Sequence, residues 1–420
     1  MIGAKINLDG DSLPDGWSVQ LVGNLGEYIN GYPFKPTEWK ERGLPIVRIQ
    51  NLTDAKKPFN YFPDRIDDRY LVRNGDILIS WSASLGTFLW HRGDAWLNQH
   101  IFKALPDETK IDRSFFYWAM VYAIDRIAKN ARGSTMVHVT GKEFKGSEIL
   151  LPTREEQRKI AAVLTVLRRA IEQQERLQAV TAELKKALLH RLFTRGFHGE
   201  LQKQSDIGPV PESWSVVRLG EVCTFLSGGT PSKQRADFWE GDIPWVSPKD
   251  MKRPRLSDVT DHISKAALED GSSLAPAGSV FVVVRGMILA KDVPVALAEI
   301  PMAFNQDMKA IIPGPKVETG FLLYAMGALK QNLFQKVGRS AHGTMTLMSS
   351  EIANFAIPLP DNATQKAIAT AIESVERKYQ QHQRRHACLT ALFRSLLHQL
   401  MMGQIRVDDL DVPELEAVAI

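Results

Sequence analysis

The chain has 420 residues, 44% of them hydrophobic, which is enough apolar material for two or three cores. Its two cysteines, Cys223 and Cys388, exclude a disulfide framework and fit a reducing cytoplasm. No apolar run is long enough to span a bilayer, and Met1-Ile2-Gly3-Ala4-Lys5 lacks the apolar core of a signal peptide. A net charge of +4 permits an acidic partner without demanding one.

Taken in order, residues 13–149 form a first globular segment that is answered by residues 210–357. Leu13-Pro14-Asp15-Gly16-Trp17 corresponds to Val210-Pro211-Glu212-Ser213-Trp214, and Gly43-Leu44-Pro45-Ile46-Val47 to Gly241-Asp242-Ile243-Pro244-Trp245-Val246. Gly75-Asp76-Ile77-Leu78-Ile79-Ser80 and Gly278-Ser279-Val280-Phe281-Val282-Val283 each read as a turn followed by a buried strand. Asn98-Gln99-His100 answers Asn305-Gln306-Asp307, and Arg132-Gly133-Ser134 to Met136 answers Arg339 to Met345. Short strands broken by Gly, Pro, Asn and Asp, with one helix near 113–129 and its counterpart near 321–337, predict α/β (α+β) domains with mixed, irregular sheets. Trp17, Trp118, Trp214 and Trp245 lie in framework or strand patterns and read as core.

Between the shared pieces the copies diverge in length and residue type. Residues 35–42 have no evident partner, nor do Gly228-Gly229-Thr230-Pro231-Ser232-Lys233. A duplicated scaffold with two divergent surfaces implies two related but different ligands. The divergent parts carry Arg, Lys, Gln and Asn, side chains that pair with base edges and hold phosphates. The candidate DNA contacts are Arg48, Lys56, Lys57 and Arg92 in the first segment, and Gly228, Gly229, Thr230, Ser232, Lys233, Arg253 and Arg255 in the second. For each of them a solvated surface charge is the competing reading.

Each globular segment is followed by a long helical pattern with apolar residues alternately four and three apart, the spacing of a coiled-coil seam. In the first, Leu151-Pro152-Thr153 leads into Gln157, Ile160, Leu164, Leu167, Ile171, Leu184, Leu188, His190 and Leu192; Thr153 and Glu156 can bond each other's exposed backbone N–H groups. The second follows Leu359-Pro360-Asp361 through Gln365, Ile368, Ile372, Val375, Leu396, His398 and Leu400. Gly196 and Gly403 stop the two helices. The seam residues Ile160, Leu164, Leu167, Ile171, Leu188, Ile368, Ile372, Val375 and Leu396 predict an antiparallel pairing of the two helices, the first of them, from Thr153 to Arg195, roughly 65 Å long. Mid-seam polar residues, Gln174 and Gln178 in one helix and His382 and His386 in the other, fix register. The alternative for His382 and His386, one turn apart with Cys388 beside them, is a metal site, which no other cluster in the sequence supports.

The chain lacks the motifs of an independent enzyme. There is no glycine-rich cofactor loop after a strand with an Asn-Pro-Pro or Asp-Pro-Pro motif, no Gly-Lys-Ser or Gly-Lys-Thr phosphate loop, and no Gly-x-Ser-x-Gly or zinc-protease motif. Glu108-Thr109-Lys110, after Pro106-Asp107, squeezes an acidic-lysine pair into one loop and reads as a chance tripeptide.

The duplication, together with Leu151-Pro152-Thr153-Arg154-Glu155-Glu156-Gln157-Arg158-Lys159-Ile160, Ser227-Gly228-Gly229-Thr230-Pro231-Ser232-Lys233 and Gly241-Asp242-Ile243-Pro244-Trp245-Val246, resembles the specificity subunits of type I restriction-modification systems over essentially the whole chain. The resemblance implies residues 1–150 as a first target-recognition domain, 151–196 as a central long helix and 197–209 as a linker. It further implies 210–358 as a second recognition domain, 359–403 as a C-terminal long helix and 404–420 as an acidic tail. It implies a non-catalytic cytoplasmic reader of double-stranded DNA, each domain taking one half of a bipartite asymmetric site, with the paired helices setting the gap. The helices dock methyltransferase subunits, usually two, and a translocating restriction subunit joins them; S-adenosylmethionine, and ATP with magnesium, are expected on those partners and no cofactor or metal on this chain. The alternatives are a coiled-coil adaptor without DNA preference, and a nuclease or methyltransferase with unrecognised motifs.

Overall fold

The computed structural model describes residues 13–82, 84–130, 140–339 and 343–410. The expected correspondence of 132–136 with 339–345 falls largely outside them. The chain divides into two compact units, one running to Glu175 and resuming at Arg384, the other Arg176–Gln383. Each unit therefore holds one globular domain and part of both long helices, Arg154–Arg195 and Asn362–Met401.

In the first unit a four-stranded antiparallel sheet runs Gly26–Asn30, Ile101–Pro106, Ile77–Ser80, Gly86–Leu89. A second runs Asn60–Phe62, Leu44–Val47, Ala95–Leu97, Leu71–Val72, and is mixed, because Leu44–Val47 lies parallel to Ala95–Leu97. Ile77–Ser80 is buried at every position, which is why it reads as a continuous apolar run rather than an alternation. The helix Arg113–Asn130 closes this core with Phe115, Phe116 and Trp118. The strand pair Ser18–Leu21 with Glu148–Leu151 brings the chain back to the start of the first long helix.

The second unit repeats the plan. Its larger sheet orders Cys223–Ser227, Met308–Pro313, Val280–Val283, Val295–Ala298 and Arg255–Leu256, and its smaller one pairs Ile243–Val246 in parallel with Met302–Phe304. The counterpart of the single domain helix is broken here, Thr319–Ala328 then Lys330–Phe334. Gly327, at which a side chain would meet nothing within 4 Å, weakens the helix just before the break. Trp17, Trp118, Trp214 and Trp245 are all buried, as framework positions should be.

The two long helices end at Gly196 and Gly403, both in the left-handed region with φ 64° and 66°. In the second unit Gln178 donates to the His382 carbonyl (3.4 Å) and Lys185 pairs with Glu376, so rising numbers on one helix meet falling numbers on the other. In the first unit Glu175 bonds His386 (3.1 Å). The seam is not a helix-to-helix zipper alone. Ile160, Leu164 and Ile171 join one core with Phe115 and Phe116 of the first domain and Leu400; Ile368 and Ile372 join another with Leu192, Phe193 and Phe321. Leu167, Leu188 and Leu396 pack on these cores as partly buried residues, and Val375 is half-buried. Leu184, read as a seam position, is 53% exposed. The reason is that the domain helices occupy one side of each long helix, turning the buried stripe toward them.

Three expectations change. Within 197–209, read as linker, Gln202–Ser205 forms a hairpin with Gly208–Pro211. Residues 404–410, the start of the expected acidic tail, are docked. Val407 is buried, Asp408 pairs with Lys159 (2.7 Å) and Arg406 with Glu156 (2.6 Å), while residues 411–420 lie outside the described part. The Thr153–Glu156 cap is half of the reciprocal one. Thr153 Oγ1 accepts from the Glu156 N–H (3.4 Å), but the Glu156 carboxylate takes the Thr153 hydroxyl (2.9 Å), the Trp17 indole N–H (3.1 Å) and Arg406 instead. Among the described residues no helix is long and apolar enough to cross a membrane, and no three His, Cys, Asp or Glu side chains gather to hold a metal.

Candidate nucleic-acid interface

In the first unit Arg48, Lys56, Lys57 and Arg92 come together around one short helix, Ile49–Thr53. Arg48 precedes it: its N–H bonds Asn51 Oδ1 (3.1 Å), its Nη1 donates to Asn60 Oδ1 (2.9 Å), and its guanidinium lies over the Trp39 ring at 4.6 Å. Arg92 closes the other end, donating from Nη1 to the Asn51 carbonyl (3.0 Å) and from Nη2 to the Ala55 carbonyl (3.2 Å) while stacking on Phe59 at 4.4 Å. Helix-end carbonyls attract a cation, so this guanidinium fixes the loop that follows. Asn51, 3% exposed, holds the same loop by donating to the carbonyls of Lys57 (3.2 Å) and Pro58 (3.1 Å). Lys56 and Lys57 project from it, exposed, with no ion pair among the described residues. The result is a rigid loop presenting two ammonium groups and, through Arg48, a planar guanidinium held on an aromatic face. Arg65 and Arg69, also rich in donors, are matched by Asp68 (2.8 Å) and Asp67 (3.5 Å).

In the second unit Gly228, Gly229 and Thr230 follow the strand Cys223–Ser227 and press against Asn305 and Gln306. A Cβ on Gly228 would fall well inside contact with the Asn305 and Phe304 carbonyls, and one on Gly229 inside the Gly271 carbonyl. The Gly229 N–H bonds the Phe304 carbonyl (2.9 Å), and its own carbonyl accepts the Trp245 indole N–H (3.0 Å). Thr230 bonds Gln306 and accepts from the Asn305 amide (3.1 Å). Ser232 and Lys233 continue the loop as exposed residues.

Arg253 is exposed just before Arg255–Leu256, the edge strand at the far side of the larger sheet from Cys223–Ser227. Arg255 is half-buried and turned inward, pairing with Glu373 of the second long helix and Glu299 (3.7 Å), so its charge is matched within the fold.

The glycine loop of the second unit has a counterpart that sequence comparison missed. Gly31 follows the strand Gly26–Asn30, and a Cβ there would fall inside the Asn98 and Leu97 carbonyls; Tyr32 N–H bonds the Leu97 carbonyl at 2.8 Å, as Gly229 bonds Phe304. Trp39 then matches Trp239, each after a single turn of 3-10 helix, Pro36–Glu38 and Ala236–Phe238. Thus residues 35–42 do have a partner, displaced because Trp39 follows Gly31 by eight positions whereas Trp239 follows Gly228 by eleven. The signal was the isolated glycine one residue past a strand.

In both units, then, a glycine after the first sheet strand lets the chain pass against an Asn-Gln pair, and divergent polar loops surround that point. This defines a duplicated recognition scaffold carried on a pair of long helices. A family model for the type I restriction modification DNA specificity domain matches the chain twice, over residues 14–182 and 211–391, and the chain belongs to that family. It is 30% identical over 235 residues to the type I restriction enzyme EcoR124I/EcoR124II specificity subunit of Escherichia coli, covering 56% of each chain. It is 22% identical to the MjaVIII specificity subunit of Methanocaldococcus jannaschii over 96% of both. Among solved structures, a type I restriction-modification S subunit from M. genitalium shares the fold with a TM-score of 0.62 at 17% identity, covering 94% of this chain and 98% of that one.

Proposed function

We propose that the chain is the DNA sequence-recognition subunit of a type I restriction-modification complex and performs no catalysis itself. Each domain reads one half of a bipartite, asymmetric site on double-stranded DNA. The long helices set the spacing and dock methyltransferase subunits, two of them, through which a restriction and translocation subunit joins. S-adenosylmethionine, and ATP with magnesium, belong to those partners, and the complex works on cytoplasmic DNA. The observation that carries this reading is the pairing of one repeated scaffold, matched twice by the family, with loop surfaces that differ between the copies. An adaptor would have no use for that divergence.

In the first domain the reading loops are those around Arg48, Lys56 and Lys57, with Arg92 positioning them; in the second they are Gly228–Lys233, with Arg253 at the margin. Arg255 serves the fold. The test is selection of bound duplexes from a random library by the chain with its methyltransferase subunits. Two fixed base blocks separated by an unread gap are expected; a continuous motif, or none, would contradict the proposal.

A further inference from the structure

The two units differ at one connection beside the candidate interface. In the first, strands Ile77–Ser80 and Gly86–Leu89 are joined by residues 81–85; in the second, the equivalent Val280–Val283 and Val295–Ala298 are joined by residues 284–294. The longer connection contains one turn of 3-10 helix, Met287–Ala290. Leu289 is fully buried and anchors it, while Met287 and Ile288 are 65% and 43% exposed.

The turn is held from several sides. Gly286, at φ 129°, donates to the Met345 carbonyl (3.0 Å) and accepts from Leu289 (3.1 Å). The Ile288 carbonyl takes the N–H groups of Lys291 (2.9 Å) and Asp292 (3.0 Å), and Asp292 pairs with Lys330 at 2.6 Å. Its entry is tied to the reading loop: the N–H groups of Val284 and Arg285 both bond the Asp307 carbonyl (2.8 and 3.2 Å), next to Gln306, which bonds Thr230. Arg285, exposed and loosely paired with Asp307 (3.9 Å), and Lys291, also exposed, flank the apolar pair.

Two large apolar side chains held rigidly in water between two cations suit a nucleic-acid duplex better than a protein surface. The cations meet phosphates while the apolar tips lose water only by entering the base stack. We propose that Met287 and Ile288 form a wedge that enters one base step of the half-site read by the second domain, unstacking that step and bending the duplex. This rests on the DNA-reading function proposed above.

The test uses the chain in complex with its methyltransferase subunits and cognate duplexes carrying 2-aminopurine at successive positions, with end-labelled duplexes reporting the bend. The intact chain should raise 2-aminopurine fluorescence at one step of the second half-site. The double variant Met287→Ala/Ile288→Ala should lose that rise and the bend, and bind roughly tenfold to a hundredfold more weakly with an unchanged salt slope. Met287→Leu/Ile288→Leu should keep all three. A wild-type complex without an unstacking signal, or an alanine variant that unstacks and bends normally, would overturn the wedge. So would an alanine variant that keeps its DNA affinity and loses the methyltransferase subunits, which would assign the patch to a protein. Absence of any sequence preference in the intact chain would overturn the DNA-reading function itself, and the wedge with it.

Discussion

Gln157 and Gln365 make the same bonds in the two copies of the scaffold. Each is 1% exposed near the start of a long helix; each Oε1 accepts the backbone N–H at the start of the domain helix, Asp112 (2.7 Å) or Glu318 (2.8 Å), and each Nε2 donates to the proline carbonyl five residues earlier, Pro152 (2.8 Å) or Pro360 (2.9 Å). Gln365 adds the Lys316 carbonyl at 3.0 Å. One amide thus locks the long helix to its domain. Replacing either glutamine by alanine leaves buried backbone groups unpaired and should cost about 1–3 kcal/mol, read from urea unfolding. Gln365→Ala should cost the more, since its amide also donates to the Lys316 carbonyl and to Asn362 Oδ1 (3.4 Å).

Arg406 and Glu156 make the second test. The Glu156 carboxylate is 5% exposed and would be costly to leave with less charge compensation. Because Trp17 and Thr153 also donate to it, Arg406→Ala should cost about 2 kcal/mol, less than a wholly orphaned carboxylate. Adding Glu156→Gln should return part of that loss. If the double variant is no more stable than Arg406→Ala, the penalty does not come from the carboxylate.

Gly31 and Gly228 should each reject alanine. A Cβ at either would meet backbone carbonyls that cannot swing away, so Gly31→Ala and Gly228→Ala should each destabilise by about 3 kcal/mol or shift the loop. The control is Gly338→Ala, where a Cβ meets nothing within 4 Å and the midpoint should hardly move.

These positions show what was legible in sequence. The long helices and their ends were plain, since seam residues such as Ile160, Leu164, Ile368 and Ile372 recur at helical spacing and Gly196 and Gly403 follow them. The buried strand around Ile77 was plain for its unbroken apolar run. The hairpin at Gln202–Ser205 was not, because an all-polar strand carries no periodicity. The equivalence of Gly31 with Gly228 was hidden because the shared feature is a backbone approach, which constrains one glycine and leaves its neighbours free. The partners of Arg92 and Arg255 depend on residues 37 and 118 positions distant, beyond any local pattern.

Asp107 gives a pH test. Hydrogen bonds from Lys110 and from the Thr109 hydroxyl and N–H hold its carboxyl down to about 2, below the ordinary 3.8. A carboxyl depressed on folding contributes stability that is complete above the unfolded value and lost as pH falls through the folded one. Asp107→Asn should therefore lower the thermal midpoint near neutral pH and match the wild type as pH approaches about 2. A difference that stayed constant across that window would tie the effect to packing rather than charge.

Lys56 and Lys57 give a salt test. Exposed ammonium groups on a fixed loop contact phosphates without reading bases, so Lys56→Ala/Lys57→Ala should weaken binding on all sequences and make the salt dependence shallower by roughly two units of slope. A change in which bases are preferred, at unchanged slope, would mean that these side chains reach base edges instead.

The most direct measurement of the central claim is a base-resolution map of methylation in cells carrying the chain with its methyltransferase subunits, repeated with residues 13–149 exchanged for the same domain of a relative of known site. One split asymmetric motif is expected, with one half changed by the exchange and the other half the same. Loss of both halves, or a motif indifferent to the exchange, would contradict the assignment of one half-site to each domain.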